Sequence, residues 1–430
     1  MSKIGETLTK WLRWSERYTK TDMLYAAKGG FWLTLGQAIA SGCAFVLSIV
    51  FANAISKETY GTYKYILSMA GLLGIFTLPQ MGTAVIQSVA RGYEGSIVQA
   101  MKSTIRWGVL ATIACLGLAI WQFNQGDTAQ AGAFLLLSVC LPVLNVFSFY
   151  RPLLVGRKLF RDSVNYSVIT RIVSTILLIG TALLTKNLLL IVVAYFVPNI
   201  IMNGLIFRIV MRRFKPNNRQ DEGVVSYGKH LSLVSVISTV ANYLDRLLVF
   251  HLLGAGSLAV YSIATAPPEQ IKSFLGVLEN IGLPRFAQRS AKEIHKNMRS
   301  KYLNMFLLSG TIIVAYVIAA PFLYHLIFPK YPESVRYSQL FVLGLLNFIL
   351  WPAGLFLRAK RHIKEIYLSN TIASILQIVL MVGLTFWMGL LGLVLARVIT
   401  RLVGGVIDLI LYHRVLPHGD EPDALPQAQD

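Results

Sequence analysis

Apolar runs about twenty residues long recur along almost the whole chain, and a run of that length spans a bilayer core as one helix. Twelve such segments lie near 30–53, 62–83, 105–121, 130–149, 164–184, 188–207, 230–252, 258–283, 302–324, 337–357, 366–387 and 391–412. Composition agrees with a membrane solvent. Hydrophobic residues make up 55% and charged residues 14%, with a mean hydropathy of +0.59, where soluble domains carry about 25% charge. The expected fold class is an all-α integral membrane protein with twelve transmembrane helices. Pro267-Pro268 should break or bend the 258–283 segment and free carbonyls for a cavity.

A net charge of +20 would suit nucleic acid, but the bases fall on alternate connections. One side carries Lys3, Lys10, Arg13, Arg17, Lys20 and Lys28, then Arg91, Lys102 and Arg106, then Arg151, Arg157, Lys158 and Arg161. It continues with six bases from Arg208 to Lys229, six from Arg285 to Lys301, four from Arg358 to Lys364, and Arg414. The other side carries five, namely Lys57, Lys64, Lys186, Lys330 and Arg336. Basic loops stay in the cytoplasm, so both termini are expected there. The excess charge reports topology, and no nucleic-acid partner is expected.

The first 28 residues are too polar for a cleavable signal peptide. Trp11, Leu12, Trp14 and Tyr18 among Lys10, Arg13 and Arg17 fit a helix on the inner membrane surface and equally a disordered basic tail. The acidic end, 415–430, reads as disordered. Cys43, Cys115 and Cys140 sit in apolar segments without partners at metal-ligand spacing. Buried thiols of this kind are packing residues, so neither a disulfide framework nor a metal site is expected.

The chain also repeats itself after about two hundred residues. Leu144-Asn145, Gly156-Arg157-Lys158 and Arg161-Asp162 answer to Leu346-Asn347, Ala359-Lys360-Arg361 and Lys364-Glu365. Tyr60-Gly61-Thr62-Tyr63 answers to Leu258-Ala259-Val260-Tyr261, Arg91 to Arg289, and Ala194 to Ala396. So long a period marks a duplicated half-protein rather than a solenoid unit. The expected organisation is an N-terminal segment (1–28), a six-helix bundle (29–211), a polar cytoplasmic linker (212–228), a second six-helix bundle (229–414) and the tail. An even number of spans per half makes the repeats parallel, an arrangement found in transporters that rock one half against the other around a central site. The outward connections are very short, the longest running from about His325 to Arg336, which leaves little room for an external catalytic domain.

Five bases lie inside the segments, Arg171, Arg246, Lys272, Arg397 and Arg401, with four acids, Asp245, Glu269, Glu279 and Asp408. Each costs about 2.5–3.5 kcal/mol or more at mid-bilayer and should face protein or water. Arg397 and Arg401, four apart, share a helix face to which Asp408 returns. In the repeat they stand opposite Tyr195 and Asn199. They line an anion path or pair with Asp408 and neighbouring acids. Arg171 has no acid within its own half's segments, which leaves an anion, water, carbonyls or the inner surface as its partner. Glu269, Lys272 and Glu279 can share one face, as an ion pair or as transport residues. Asp245 and Arg246, adjacent, point about 100° apart. The acids either titrate during transport or pair silently.

The stretch Asn242-Tyr243-Leu244-Asp245-Arg246-Leu247-Leu248-Val249, then Leu253-Gly254 and Val260-Tyr261-Ser262-Ile263-Ala264, resembles the seventh-to-eighth helix signature of bacterial polysaccharide flippases. Leu283-Pro284-Arg285 is similar to the family's Leu-Pro-Arg helix ending. That family belongs to the multidrug/oligosaccharidyl-lipid/polysaccharide (MOP) superfamily. The resemblance implies two pseudo-symmetric six-helix bundles around a cavity open alternately to each side of the bacterial inner membrane. It implies that the cargo is a polyprenyl-diphosphate-linked oligosaccharide, flipped without a reaction or cofactor, with membrane lipids and polysaccharide polymerase and assembly proteins as partners. Arginine forks suit diphosphate oxygens, and Gln37, Gln80 and Tyr195 suit sugar hydroxyls. Whether a proton or sodium gradient drives the cycle stays open. The alternatives are a cation or drug antiporter of the same superfamily, which would use Asp245, Glu269 and Glu279, and a membrane glycosyltransferase or polymerase. No Gly-x-x-x-x-Gly-Lys-Ser/Thr is present, so ATP-driven transport within this chain has no support.

Overall fold

The computed structural model describes residues 23–415. Most of the N-terminal segment and nearly all of the acidic tail therefore lie outside the described residues. All regular structure among the described residues is helical. In chain order the helices are α1 (Met23–Ala54), α2 (Lys57–Leu73), α3 (Met81–Ala90), α4 (Ser96–Asn124), α5 (Thr128–Phe147), α6 (Tyr150–Gly156), α7 (Phe160–Leu184) and α8 (Leu188–Phe214). Then come α9 (Val224–Val234), α10 (Val236–Gln288), α11 (Ala291–Lys296), α12 (Met298–Ile327), α13 (Ser334–Val342), α14 (Trp351–Ala359) and α15 (Ile363–Val415). Eight helices are long and apolar enough to cross a membrane, or ten if the bent pairs α2–α3 (51°) and α13–α14 (49°) each count as one span.

Two helices of 53 residues, α10 and α15, would each measure about 80 Å if straight, far beyond a ~30 Å bilayer core. Both reverse at a glycine with positive φ, Gly254 (φ 87°) and Gly389 (φ 58°). The reversal of α10 is fixed by the Tyr261 hydroxyl, which donates to Asp245 Oδ2 at 2.8 Å. Sixteen residues apart on a straight helix, these groups would be about 24 Å apart. In α15 a Cβ on Gly392 would fall 1.9 Å from the Leu384 carbonyl oxygen, a contact only a chain folded back on itself can make.

The expected break at Pro267-Pro268 does not occur. The departure from helical φ/ψ inside α10 is at Gly254, and the helix runs on through both prolines. They do remove the amide donors for the carbonyls four residues back, those of Ile263 and Ala264. The Tyr324 hydroxyl supplies the missing donor, lying 2.9 Å from the Ile263 oxygen and 3.3 Å from that of Ala264. A neighbouring side chain thus meets the backbone demand that would otherwise kink the helix.

The duplication is visible in the backbone. After α6 and after α14 the chain enters the left-handed region at a basic residue, Lys158 (φ 64°) and Arg361 (φ 58°). Both ends close with the same six-to-one bond, Leu159 N–H to the Leu154 carbonyl at 2.7 Å and His362 N–H to that of Leu357 at 3.0 Å. This is a Schellman cap, usually built on glycine.

By compactness the chain divides into one unit of Lys28–Gln270 with Tyr324–Ser334, and another of Ile271–Leu323 with the chain from Val335 onward. In the first, Met81, Val85, Tyr150, Leu153, Ile206, Val210 and Val224 form the densest core. Its 324–334 strap is held to the end of α1 and the start of α2. Asn53 Nδ2 donates to the Ile327 carbonyl, Lys330 Nζ to the Asn53 carbonyl, and Lys57 pairs with Glu333. In the second unit, Phe286, Ile294, Met298, Leu355, Phe356 and Tyr412 pack together.

The segment after α8 is tied to the loops of the first unit. Arg157 forks onto both oxygens of Glu94 (2.5 and 2.6 Å) and donates to the Phe214 carbonyl at 2.7 Å. Glu94 also accepts from Asn217 N–H at 2.8 Å, while Gly95 N–H reaches the Arg219 carbonyl and Asp221 N–H reaches Ser96 Oγ, each at 2.8 Å. The hydrogen bonds from Arg157 hold the Glu94 carboxyl below its usual range.

Two outcomes are expected. Tyr324→Phe strands the Ile263 and Ala264 carbonyls and should cost about 1–3 kcal/mol, read as a lower apparent melting temperature in detergent. An unchanged melt would contradict the role assigned to Tyr324. Glu94→Gln should lower stability at neutral pH. Because the folded pKa lies below the ordinary 4.5, that contribution is present above pH 4.5 and lost as pH falls further. The gap between variant and parent should therefore close on acidification, and a gap independent of pH would refute the ion-pair account.

Candidate functional site

In the first unit three cations converge on a group of tyrosines. Lys64, seven residues into α2, holds its Nζ 5.2 Å from the centre of the Tyr60 ring. Arg246, on the first limb of α10, lies within electrostatic range of both Lys64 and Tyr60. Arg171, the twelfth residue of α7, is within range of Tyr63 and Tyr195, and Tyr195 of Tyr243. The Tyr63 and Tyr195 rings meet edge to face at 6.2 Å. Tyr243 packs where Gly71 leaves room, since a Cβ there would fall 2.2 Å from its ring.

Among the described residues, none of Lys64, Arg171 and Arg246 forms an ion pair with a carboxylate. The acid beside them is committed elsewhere. Asp245 is 2% exposed and accepts from the Tyr261 hydroxyl and from Arg246 N–H, each at 2.8 Å. The Tyr63 hydroxyl is buried with no hydrogen-bond partner. An amide ladder continues down α8, with Asn199 Nδ2 donating to the Tyr195 carbonyl and Asn203 Nδ2 to that of Asn199. Cations without carboxylates, an open hydroxyl and aromatic faces together suit a ligand with phosphate oxygens and sugar rings.

Sequence reasoning placed Lys64 among the outer-side loop bases. The structure corrects this, because α2 begins at Lys57 and carries Lys64 two turns into the helix. The signal was present in the spacing of Tyr60, Tyr63 and Lys64, at i, i+3 and i+4 on one face. Gln80 lies at the bend before α3. Its N–H donates to Ser232 Oγ at 3.2 Å and its Oε1 accepts from Thr83, so it serves the start of α3 at the bend. Gln37 is exposed on α1.

In the second unit, the face of α15 carrying Arg401 and Asp408 packs on the bent pair α13–α14. The Arg401 guanidinium lies over the Phe341 ring at 4.5 Å, with its stem where a Cβ on Gly344 would sit. Asp408 accepts from Ser369 Oγ at 2.5 Å, faces Arg358, and leans on Gly354. Arg397, one turn before Arg401, is half-buried. On α10, Glu269 is half-buried in the first unit, whereas Lys272 is exposed in the second. The side chain of Glu279 lies outside the described residues. No group of His, Cys, Asp and Glu able to hold a metal occurs among the described residues.

With this geometry in view, comparison with known proteins is decisive for the family. The model of the family described as polysaccharide biosynthesis protein matches residues 26–288. The chain belongs to that family. The match takes in Lys64, Arg171 and Arg246, while Arg397 and Arg401 lie beyond it. A Shigella flexneri protein, provisionally named an O-antigen transporter, is 24% identical over 317 residues, 67% of this chain and 73% of its own length. An uncharacterised membrane protein of Methanocaldococcus jannaschii is 21% identical over 58% of this chain and 55% of its own. Among solved structures, an inward-facing multidrug MATE transporter of the MOP superfamily matches with TM-score 0.66 at 12% identity, covering 93% of this chain and 99% of its own. A Pyrococcus furiosus MOP transporter, noted for the reversed polarity of its binding pocket, matches at 0.62 and 14%, covering 92% and 97%. The all-α, MATE-like membrane fold is thereby established, and the chain is a multi-pass membrane protein of the polysaccharide biosynthesis family.

Proposed function

We propose that this transporter flips a polyprenyl-diphosphate-linked oligosaccharide from the cytoplasmic to the outer leaflet of a bacterial inner membrane by alternating access. The observation that carries the reading is the trio Lys64, Arg171 and Arg246, inside apolar helices and without carboxylate partners. Charges in such places are functional by default. The diphosphate supplies the countercharge, and the tyrosines offer faces for sugar rings. Arg397 and Arg401 are candidate anion ligands of the second unit in their own right. The chain crosses the membrane twelve times, with both termini in the cytoplasm, and delivers its cargo to polymerase and assembly proteins outside. No bond is made or broken. An antiporter of cations would need an accessible acid, and the buried Asp245, occupied by Tyr261, weighs against it.

The test is reconstitution in vesicles with a labelled polyprenyl-diphosphate oligosaccharide, with and without a proton or sodium gradient. Lys64→Ala, Arg171→Ala and Arg246→Ala should each slow flipping about tenfold or more, since a hydrogen bond to a charged group contributes about 1.5–3 kcal/mol. Arg→Lys variants should recover part of the rate. Parent-level flipping by all three alanine variants, at equal membrane levels, would sink the proposal. The gradient arms decide which ion, if any, drives the cycle.

A further inference from the structure

The bend between α2 and α3 opens a second feature, on the same helix as Lys64 but further along it. At Gly74–Thr77 the helix tightens into a 3-10 turn, Leu78 turns left-handed (φ 54°), and the chain leaves at 51°. The bend is held by the bond from Gln80 N–H to Ser232. Between the end of α2, the junction of α9 with α10 and Trp107 of α4 lies a groove of about 580 Å³, lined by Leu72, Ile75, Phe76, Leu78, Leu233 and Val236 among others. That volume is in the range of about 300–1,000 Å³ usual for bound ligands.

The groove is apolar except at one end, where Lys229 and His230 stand and Lys229 Nζ lies over the Trp107 ring at 5.6 Å. A tryptophan beside a lysine is the pairing that anchors a helix at the head-group level, and basic residues there attract anionic lipid. The rim therefore complements one negative charge, and the trough below it an extended hydrocarbon chain. Leu72 is eight residues from Lys64, a rise of about 12 Å along α2, so one helix links the trough with the tyrosine–cation cluster.

We infer that this groove is a binding site for the isoprenoid chain of a polyprenyl phosphate lipid, with Lys229 at its charged end. The inference rests on the flippase reading for its choice of lipid, and it gives the cargo a docked state, tail in the trough and phosphate at Lys229, from which the head group then passes to the cations. The tail does not then wander among bulk lipids during the crossing.

The experiment uses the full chain in nanodiscs with a polyprenyl phosphate carrying a diazirine on its chain. Labelling is expected on the Leu72–Leu78 stretch and at Leu233. Unlabelled polyprenyl phosphate should compete it away, whereas phosphatidylglycerol and uncharged polyprenol should not. Leu233 is 73% exposed, so Leu233→Trp should fill the trough without disturbing the core and abolish labelling there. Lys229→Glu should weaken competition roughly tenfold, and Lys229→Arg should restore it. Equal competition by phosphatidylglycerol would show ordinary boundary lipid and overturn the inference. So would label spread evenly onto lipid-facing residues elsewhere, such as Leu183 and Phe386. The two readings separate cleanly. Selective labelling with parent-level flipping in the cation variants keeps the groove and removes the flippase mechanism. Impaired flipping in those variants with an unlabelled groove does the reverse.

Discussion

A backbone carbonyl inside hydrocarbon has no water to turn to, and most of what is unusual in this chain follows from that. Two consecutive prolines take away the donors for two carbonyls, and one tyrosine hydroxyl from a distant part of the chain stands where the donors would have been. The helix stays whole because its debt is met from outside. At a third proline, Pro79, the chain bends instead. At the end of α2 the structure tightens into a 3-10 turn, and the first amide after Pro79 is taken by Ser232. The same rule thus produces a continuous helix in one place and a 51° bend in another. The bend then has consequences of its own, since the wedge it leaves beside α9 is the apolar groove.

Charges follow a parallel logic. Asp245 is nearly fully buried and is stabilised by the amide of the adjacent Arg246 and by the Tyr261 phenol, which the reversal at Gly254 brings to it. It is therefore part of the fold. Asp408, held by Ser369 and leaning on Gly354, has a similar place in the second unit. The cations of the first unit are treated differently. Lys64 rests on an aromatic face, which contributes about 0.5–2 kcal/mol, less than the cost of holding a cation in the membrane. A group left with such a deficit is stable when water or an anion supplies the remainder. That deficit is the physical ground for reading these cations as a site.

Much of this was legible in the sequence, and the exceptions have identifiable causes. The reversals at Gly254 and Gly389 fall between neighbouring apolar segments read from the sequence, 230–252 with 258–283 and 366–387 with 391–412. The caps at Lys158 and Arg361 lay inside the repeated basic motif, although nothing in the composition announced a left-handed lysine or arginine. Lys64 was misplaced because a lysine near the start of an apolar run belongs to a loop or to a helix depending on where the preceding turn ends. Ser56, whose side chain caps α2 by accepting from Thr59 N–H at 3.1 Å, decides that question. The partner of Asp245 was out of reach, because a contact across sixteen residues exists only after the reversal has formed. Pro267-Pro268 was expected to break or bend the helix and free carbonyls for a cavity, whereas those carbonyls are taken up by Tyr324, a partner 57 residues away that the local sequence could not show.

The two kinds of feature also differ in how faithfully they repeat. The six-to-one caps at Leu159 and His362 recur at corresponding places in both halves. These are answers to the demands of the backbone, which are the same wherever a helix enters or leaves hydrocarbon. Lys64, Arg171 and Arg246 have no matching trio in the second unit, and Arg397 and Arg401 stand where the first half has Tyr195 and Asn199. No rule of membrane folding calls for those differences. A duplicated scaffold that keeps its backbone caps and diversifies its intramembrane cations is one in which folding constrains the first set and the cargo constrains the second. On that ground the oligosaccharide-lipid reading looks to the unmatched side chains rather than to the repeated caps.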